Sequence, residues 1–229
     1  MSSPDTIQIT SDGSQTVRSG RFDIQYHSIH GAVTESEHVF INAGLHARLE
    51  RGHSASIHIV EMGFGTGLNA YLALREAAAR TDIKFSYSVV EKYPLDKALI
   101  SQLEYAAILG LPRVDFQQLH ESDWDAEYQL SDNFTLHKVL GDWLEVAPGL
   151  PKADVIFYDA FAPNAQPELW SEESMQSCAD LLQPGGCWVS YCAKGSVKRA
   201  LKAAGLQVEA IPGPPRKREM TRAWKMDQM

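Results

Sequence analysis

The sequence predicts an α/β fold with one mostly parallel sheet, for three reasons. Strand-like and helix-like patterns alternate from about residue 55 onwards. A glycine-rich turn, GFGTG, joins the first of these strands to the first of these helices. The 229 residues are 44% hydrophobic, which is enough to close one sizeable core. Because a helix between two strands makes a right-handed crossover, the strands are expected to run parallel.

We expect a single domain over residues 1–229, made of an N-terminal extension and a core. The extension covers residues 1–54, where TIQIT and TVRS flank an Asp-Gly turn. This pattern predicts a small β-hairpin. The core covers residues 55–229 and contains the alternating strands and helices.

The core elements follow from their patterns in chain order. Apolar runs such as IHIVEM and ADVIFYDA predict strands, and apolar residues at helical spacing, such as Leu68, Tyr71 and Leu72, predict helices. The turn LLQPGG is expected to end the third helix. Strands are expected at residues 57–62, 85–91, 135–141, 153–160, 187–193, 206–213 and 219–225, the last closing the sheet in an antiparallel direction. Helices are expected at residues 68–80, about 95–109, 167–182 and 196–205.

Composition excludes several classes of protein. The start of the chain has no basic segment before an apolar run, and no stretch approaches the roughly 20 apolar residues that cross a bilayer. A soluble, cytoplasmic protein is therefore expected. Cys178, Cys187 and Cys192 form no CxxC pair, which argues against a disulfide framework or a four-ligand zinc site. The net charge of −8 excludes an overall basic coat for nucleic acid but allows a local basic patch.

The loop EMGFGTGLN, residues 61–69, is the first candidate for chemistry, because ligands bind beyond the carboxyl ends of parallel strands. Its glycines let the backbone approach a ligand at the start of a helix. A dinucleotide-binding fingerprint would be GxGxxG, but Leu68 holds the place of the third glycine. Glu61 suits a cationic ligand better than a pyrophosphate. S-adenosylmethionine, a sulfonium without phosphate, is therefore favoured; a purely structural tight turn is the alternative.

Three further residues follow strands and extend this site. Glu91 ends a strand about 20 residues after the loop, the separation at which a carboxylate accepts hydrogen bonds from ribose hydroxyls. Asp142 is placed to accept a hydrogen bond from an adenine amino group, and Trp143 to offer an aromatic face. The alternatives are a surface carboxylate at Glu91, and a solvated turn aspartate beside a core tryptophan.

The segment FYDAFAPNAQPELW, residues 157–170, carries the strongest candidate for catalysis. Asp159 leaves a buried strand into a turn that contains an aromatic residue and several prolines. Such a turn holds Asp159 and Phe161 rigidly near the switch point of the sheet. An ordinary helix-capping aspartate is the alternative.

Four segments occur in the same order as in a known family: YHSIHGAVTESEHVF, EMGFGTGLN, YDAFAPNAQPELW and KREM. From about Asp12 to Lys225 the sequence resembles the methyltransferase domain of the bacterial tRNA 5-methylaminomethyl-2-thiouridine biosynthesis proteins. The resemblance implies a Rossmann-like, S-adenosylmethionine-dependent methyltransferase. Family members are often fused to a flavin-dependent oxidoreductase domain, for which this chain has no length, so the stand-alone form is expected.

The resemblance implies methyl transfer to the aminomethyl nitrogen of a wobble uridine in the anticodon stem-loop of tRNA. A separate flavin-dependent oxidoreductase would act upstream. A primary alkylamine has a pKa of about 10.4, so near neutrality it must lose a proton before its lone pair can attack. Asp159 is expected to orient the amine or accept this proton. Phe161 is expected to wall the site around a base that has been splayed out of the anticodon loop.

The predicted site residues fall into three groups. The donor is expected to contact Glu61, Gly63, Phe64, Gly65, Thr66, Gly67, Asn69, Glu91, Lys92, Asp142, Trp143 and Asp159. The catalytic residues are expected to be Asp159 and Phe161. The substrate is expected to contact Glu35, Pro163, Arg216, Lys217 and Arg218.

A basic face for RNA phosphates is expected near the C-terminus despite the acidic total. Its further members are Lys194, Lys198, Arg199, Lys202 and Arg222. No metal is expected, because His27, His30 and His38 lack matching carboxylate or cysteine ligands, and their segment resembles a lid near the cofactor. Three alternatives remain at this stage: a transferase acting on a small amine, a nicotinamide-dependent oxidoreductase, and an RNA-binding scaffold without catalysis.

Overall fold

Ten strands form two sheets within residues 3–52 and 54–226, the part of the chain that the computed structural model describes. The strands are β1 (Thr6–Ile9), β2 (Gln15–Arg18), β3 (Ser56–Met62), β4 (Lys84–Glu91), β5 (Ala126–Ser131), β6 (Phe134–Leu140), β7 (Ala153–Tyr158), β8 (Leu182–Ser190), β9 (Gln207–Pro212) and β10 (Glu219–Trp224). β1 and β2 form the predicted antiparallel hairpin.

The other eight strands form one sheet in the order β5-β6-β4-β3-β7-β8-β10-β9. The five central strands, β6, β4, β3, β7 and β8, pair in parallel. β10 runs antiparallel to both β8 and β9, as the sequence predicts, and β5 runs antiparallel to β6. The chain leaves β3 first towards β4 and β6 and returns to its other side through β7. This reversal creates a crevice beyond the carboxyl ends of β3 and β7.

Helices cover both faces of the sheet. They are α1 (Ala32–Ser36), α2 (Ala47–Leu49), α3 (Leu68–Ala78), α4 (Lys97–Ile100), α5 (Tyr105–Leu109), α6 (Arg113–Glu121), α7 (Trp143–Val146), α8 (Glu172–Leu181) and α9 (Gly195–Ala203). A π-helical segment, Glu37–His46, joins α1 to α2, and short 3-10 turns occupy Ala147–Gly149 and Pro167–Trp170. One face of the sheet packs on the π-helical segment, α3 and α6, and the other face packs on α7, α8 and α9. The core therefore has two apolar layers, which matches the nearly continuous apolar strands.

The structure departs from the predicted elements in several places. The helical stretch over residues 32–49 and α7 are not predicted from the sequence patterns. The helix expected at about 95–109 is broken into α4 and α5, because Gln15 of the hairpin hydrogen-bonds the backbone of Gln102 and Glu104 between them. α6 and the edge strand β5 were not predicted, since β5 is largely exposed and has no apolar alternation. The expected turn LLQPGG lies inside β8, where the pairing register with β7 shifts. Among the described residues, no helix has the length and apolar character needed to cross a bilayer.

Candidate methyl-donor and amine site

A cavity lies at the carboxyl ends of β3, β4, β6 and β7, in the crevice that the strand order creates. Its volume is about 140 Å³, and it opens to solvent. The predicted glycine loop and the predicted acidic strand ends all contribute to its wall, so the topology brings these separate segments together.

The glycine loop takes a backbone conformation that other residues rarely adopt. Gly63, Gly65 and Gly67 have φ values of +88°, +49° and +74°. A Cβ atom on Gly65 would lie 2.7 Å from the Tyr26 ring, and one on Gly67 would lie 2.6 Å from the Nε2 atom of His120. Glycine is therefore required here both for the turn and for the close packing of its neighbours.

Glu91 holds this loop from the neighbouring strand. Its Oε2 atom accepts hydrogen bonds from the backbone N–H groups of Phe64 (3.0 Å) and Gly65 (3.1 Å). Its Oε1 atom accepts one from the backbone N–H of Tyr93 (2.7 Å). A carboxylate oxygen can accept more than one hydrogen bond, so Oε1 keeps capacity for a hydroxyl in the cavity.

Asp142 and Trp143 follow β6 and line the wall beside Glu91, whose carbonyl accepts a hydrogen bond from the backbone N–H of Gly141 (3.0 Å). Asp142 caps α7 by accepting a hydrogen bond from the backbone N–H of Leu144 (3.1 Å). It also accepts one from the Nζ atom of Lys92 (2.9 Å), which lowers the pKa of Asp142. Trp143 is buried, and its indole N–H has no hydrogen-bond partner among the described residues.

Asp159 leaves β7 directly into the cavity and is partly buried. Its pKa is raised to about 7, mainly by burial and also by the nearby carboxylate of Glu35. A hydrogen bond from Nδ2 of Asn69 (2.8 Å) and the charge of Lys217 act in the opposite direction. A carboxyl group that titrates near neutrality can exchange a proton with a bound ligand.

Glu61 and Asn69 lie beneath the cavity wall and do not line it. The Nδ2 atom of Asn69 donates to Oε1 of Glu61 (2.8 Å) as well as to Asp159, and the Tyr87 hydroxyl donates to Oε2 of Glu61 (2.7 Å). Burial raises the pKa of Glu61 well above its usual value. Gly67 also lies outside the cavity wall, whereas the other predicted donor contacts line it.

Phe161 belongs to an aromatic wall that the sequence analysis only partly identified. Its ring lies 4.8 Å from that of Tyr26 and 5.1 Å from that of Phe22, measured between centroids. The Trp170 indole N–H donates to the Phe161 carbonyl (2.7 Å) and fixes the turn. Phe22 and Tyr26 come from the extension, and only the position of Tyr26 at the start of the segment 26–40 offered a signal for them.

His27 is a further cavity residue that the sequence analysis did not assign to the site. Its Nε2 atom lies 2.8 Å from the hydroxyl of Thr66, which belongs to the glycine loop. Burial lowers the pKa of His27 to about 4, so the ring is neutral near pH 7. His27 therefore ties the extension to the loop. Among the described residues, no group of three or more histidine, cysteine, aspartate or glutamate side chains could hold a metal ion.

The predicted substrate contacts lie at the same edge of the sheet but mostly outside the main cavity. Glu35, Arg216 and Lys217 line a second cavity of about 200 Å³ between the extension and the β9–β10 turn. Pro163 is half-buried and lines neither cavity, and Arg218 is exposed on the turn.

The predicted basic face is only partly available for phosphates. Lys198 forms an ion pair with Glu219 (2.7 Å), and Arg222 forms one with Glu209 (2.9 Å). These contacts tie α9 and β9 to β10 and occupy both cations. Lys217 is exposed but forms an ion pair with Glu35 (3.1 Å). The other predicted cations, Lys194, Arg199, Lys202, Arg216 and Arg218, are exposed.

Comparisons with known proteins bear on the fold and on the cofactor. A family model described as S-adenosyl-L-methionine-dependent methyltransferase matches residues 114–226. The tRNA 5-methylaminomethyl-2-thiouridine biosynthesis bifunctional protein MnmC of Chromobacterium violaceum is 32% identical over 87% of this chain and 32% of its own length. The protein of the same name from Burkholderia mallei is 34% identical over 95% of this chain and 35% of its own length. This chain thus spans about a third of the length of these curated relatives.

A solved structure has a similar fold over almost the whole length of this chain. MNMC2 from Aquifex aeolicus has a TM-score of 0.79 and 26% identity, covering 99% of this chain and 73% of that one. These matches confirm the predicted fold class and the predicted cofactor, and they favour neither the small-amine transferase nor the nicotinamide oxidoreductase. The chain is therefore similar to S-adenosyl-L-methionine-dependent methyltransferases over residues 114–226, and along most of its length it is similar to the tRNA 5-methylaminomethyl-2-thiouridine biosynthesis proteins.

Proposed function

We propose that this chain transfers a methyl group from S-adenosylmethionine to the aminomethyl nitrogen of a wobble uridine in the anticodon stem-loop of tRNA. The observation that carries the proposal is Asp159, a carboxyl group with a pKa raised to about 7 between the glycine loop and an aromatic wall. The names of the curated relatives support the class of substrate. We place the reaction in the cytoplasm, downstream of a separate flavin-dependent oxidoreductase.

The residues of the cavity fit a cationic nucleoside. Four carboxylates and one lysine are the charged groups among the described residues of its wall, and that lysine is already paired. They are Glu91, Asp142, Asp159 and Glu168, with Lys92. This charge attracts a sulfonium and an ammonium group and repels a pyrophosphate. The spare capacity of Glu91 suits the hydroxyl groups of an adenosyl ribose.

S-adenosylmethionine supplies an electrophilic methyl group on sulfur. The residues of the chain therefore have to hold the donor, orient the amine and take up its proton. Glu91 and the glycine loop hold the nucleoside. Asp159 accepts a hydrogen bond from the substrate amine, orients its lone pair and receives or relays its proton. Phe161, Phe22 and Tyr26 enclose the base and exclude water from the amine. Positioning and desolvation, rather than covalent chemistry by the protein, account for the acceleration.

RNA contacts are assigned to the exposed cations at the carboxyl edge of the sheet. Arg216 and Arg218 lie on the β9–β10 turn, and Lys194 lies at the start of α9, where its Nζ atom contacts Asn164. Lys217 is a weaker candidate for a phosphate contact, because it forms an ion pair with Glu35. We propose that Pro163 packs against the splayed-out nucleotide at the mouth of the cavity.

The proposal is tested by incubating the protein with isotopically labelled donor and tRNA from cells that lack this modification. Nucleoside analysis should then show the label in 5-methylaminomethyl-(2-thio)uridine. The matched control is Asp159→Asn, which keeps the shape of the side chain and removes its charge. Label in a different nucleoside, or only in an added small amine, would contradict the assigned substrate.

A further inference from the structure

The ammonium group of Lys217 occupies an unusual position. Its Nζ atom lies 3.1 Å from Oε1 of Glu35 and 4.2 Å from the centre of the Tyr191 ring. The Glu35 side chain is only 10% exposed, whereas Lys217 belongs to the exposed β9–β10 turn. Lys217 therefore reaches from the surface to place an alkylammonium group between a buried carboxylate and an aromatic face, which is a well-known way of binding such a cation.

The carboxylate and the ring are held independently of Lys217. The second oxygen of Glu35, Oε2, accepts a hydrogen bond from the backbone N–H of Ser28 (2.8 Å). The Tyr191 hydroxyl donates to the carbonyl of Ala160 (2.8 Å), the residue that follows Asp159. The arrangement thus persists when the lysine leaves, and it adjoins the proposed catalytic carboxylate. The electrostatic effects of Glu35 and Lys217 on Asp159 agree with this proximity.

We propose that Glu35 and Tyr191 form the binding seat for the primary ammonium group of the substrate, and that Lys217 fills this seat until the substrate displaces it. The inference rests on the proposed function in one respect, namely that the substrate is a primary amine. Exchange of one alkylammonium group for another keeps the buried carboxylate paired, so neither state leaves an isolated charge. The adjoining cavity of about 200 Å³, lined by both Glu35 and Lys217, gives the displaced side chain room.

A tethered competitor lowers the apparent affinity for the ligand that must displace it. Lys217 is therefore expected to oppose binding of the amine, whereas a phosphate contact would favour binding of the substrate. The two roles predict opposite signs for the same substitution. They can be separated with a small probe that has an aminomethyl group on an aromatic ring but has no phosphate.

The experiment measures the Kd of benzylammonium chloride by ligand-observed NMR for the intact chain and its variants. Lys217→Met should lower the Kd by about 3–10-fold, because the tethered ammonium is gone. Lys217→Arg keeps a cation on the seat and should leave the Kd within about twofold of the unsubstituted protein. Glu35→Gln should abolish detectable binding, because the seat loses its charge. Lys84→Met removes an equal charge from the exposed start of β4, at the opposite edge of the sheet, and should change nothing.

Unchanged or weaker binding of benzylammonium by Lys217→Met, in a variant whose thermal unfolding shows that it is folded, overturns the inference. Equal effects of the substitutions on the Kd of neutral benzyl alcohol overturn it too, since the seat would then not recognise charge. The assay involves no methyl transfer. If Lys217→Met binds benzylammonium more tightly but the unsubstituted protein does not methylate tRNA, the ammonium seat is supported and the proposed function is wrong. If the protein methylates tRNA but Lys217→Met does not bind benzylammonium more tightly, only the seat is wrong.

Discussion

The two sides of the site are built in different ways. On the donor side, backbone groups and strand ends make the contacts: Glu91 binds the N–H groups of a loop that lies 26 and 27 residues before it. On the amine side, side chains from the two ends of the chain meet, as in Lys217 with Glu35, 182 residues apart. The donor side is thus fixed by one strand-loop-helix unit and its neighbour, whereas the amine side forms only when the extension closes onto the β9–β10 turn.

Asp159 lies where the two sides meet, and its substitution should have the largest effect. In Asp159→Asn the amide keeps the size of the side chain but cannot accept a proton from the amine. We expect methyl transfer to tRNA to fall by about 10²–10⁴-fold, the usual contribution of a general base. Calorimetry should show donor binding within a few-fold of the unsubstituted protein. Full activity of this variant would remove Asp159 from the mechanism.

Glu91→Ala should break the donor side selectively. Two loop N–H groups and the Tyr93 N–H lose their charged acceptor. Hydrogen bonds to charged groups contribute about 1.5–3 kcal/mol, so the donor Kd should rise by about 10–100-fold while tRNA binding stays unchanged. Glu91→Gln keeps one acceptor oxygen and should give a smaller loss. Equal losses of donor and tRNA affinity would show that the two sides are not separable.

Arg218→Ala tests the β9–β10 turn on the amine side, where we expect a smaller loss of affinity than for Glu91→Ala. Loss of one phosphate contact should weaken tRNA binding by about 3–10-fold and reduce the slope of its salt dependence by about one, with donor binding unchanged. Lys84→Ala is the matched control, because Lys84 begins β4 at the opposite edge of the sheet. If both substitutions weaken tRNA binding alike, the binding reflects overall charge and not the β9–β10 turn.

The difference between the two sides also explains what could be predicted from the sequence. Strands β3, β4, β6 and β7 are recognisable from their apolar residues, and their polar ends must share one edge of the sheet, so Glu91, Asp142 and Asp159 were predicted together. Phe22 was missed because nothing local indicates that the extension folds over Phe161. The pairing of Lys217 with Glu35 also depends on distant segments, and the charge pattern alone suggested a phosphate contact instead.

The sequence predicts that Glu61 contacts the ligand, whereas in the structure Glu61 does not line the cavity. An acidic residue before a glycine loop indicates a ligand contact, but in the structure Tyr87 and Asn69 take up both of its oxygens beneath the cavity wall. Tyr87 comes from β4, and its register beside β3 places its hydroxyl there. The sequence predicts the two strands but not which side chains meet between them.

The smallest expected effect is a shift in the pH dependence of methyl transfer. It tests whether Asn69 acts on Asp159 directly or through the buried Glu61. The carboxyl of Asp159 has a pKa of about 7, so its charged, proton-accepting form increases as pH rises, and the rate of methyl transfer should rise through about pH 7. The N–H of Asn69 favours the charged form, so Asn69→Ala should raise the pKa and move this rise upward by up to about one unit. Single-turnover rates between pH 5.5 and 9, roughly the range that brackets this titration, measure the shift. Glu61→Gln is the control, because Asn69 also donates to Glu61, and an equal shift in that variant would mean that Asn69 acts through Glu61 and not on Asp159 directly.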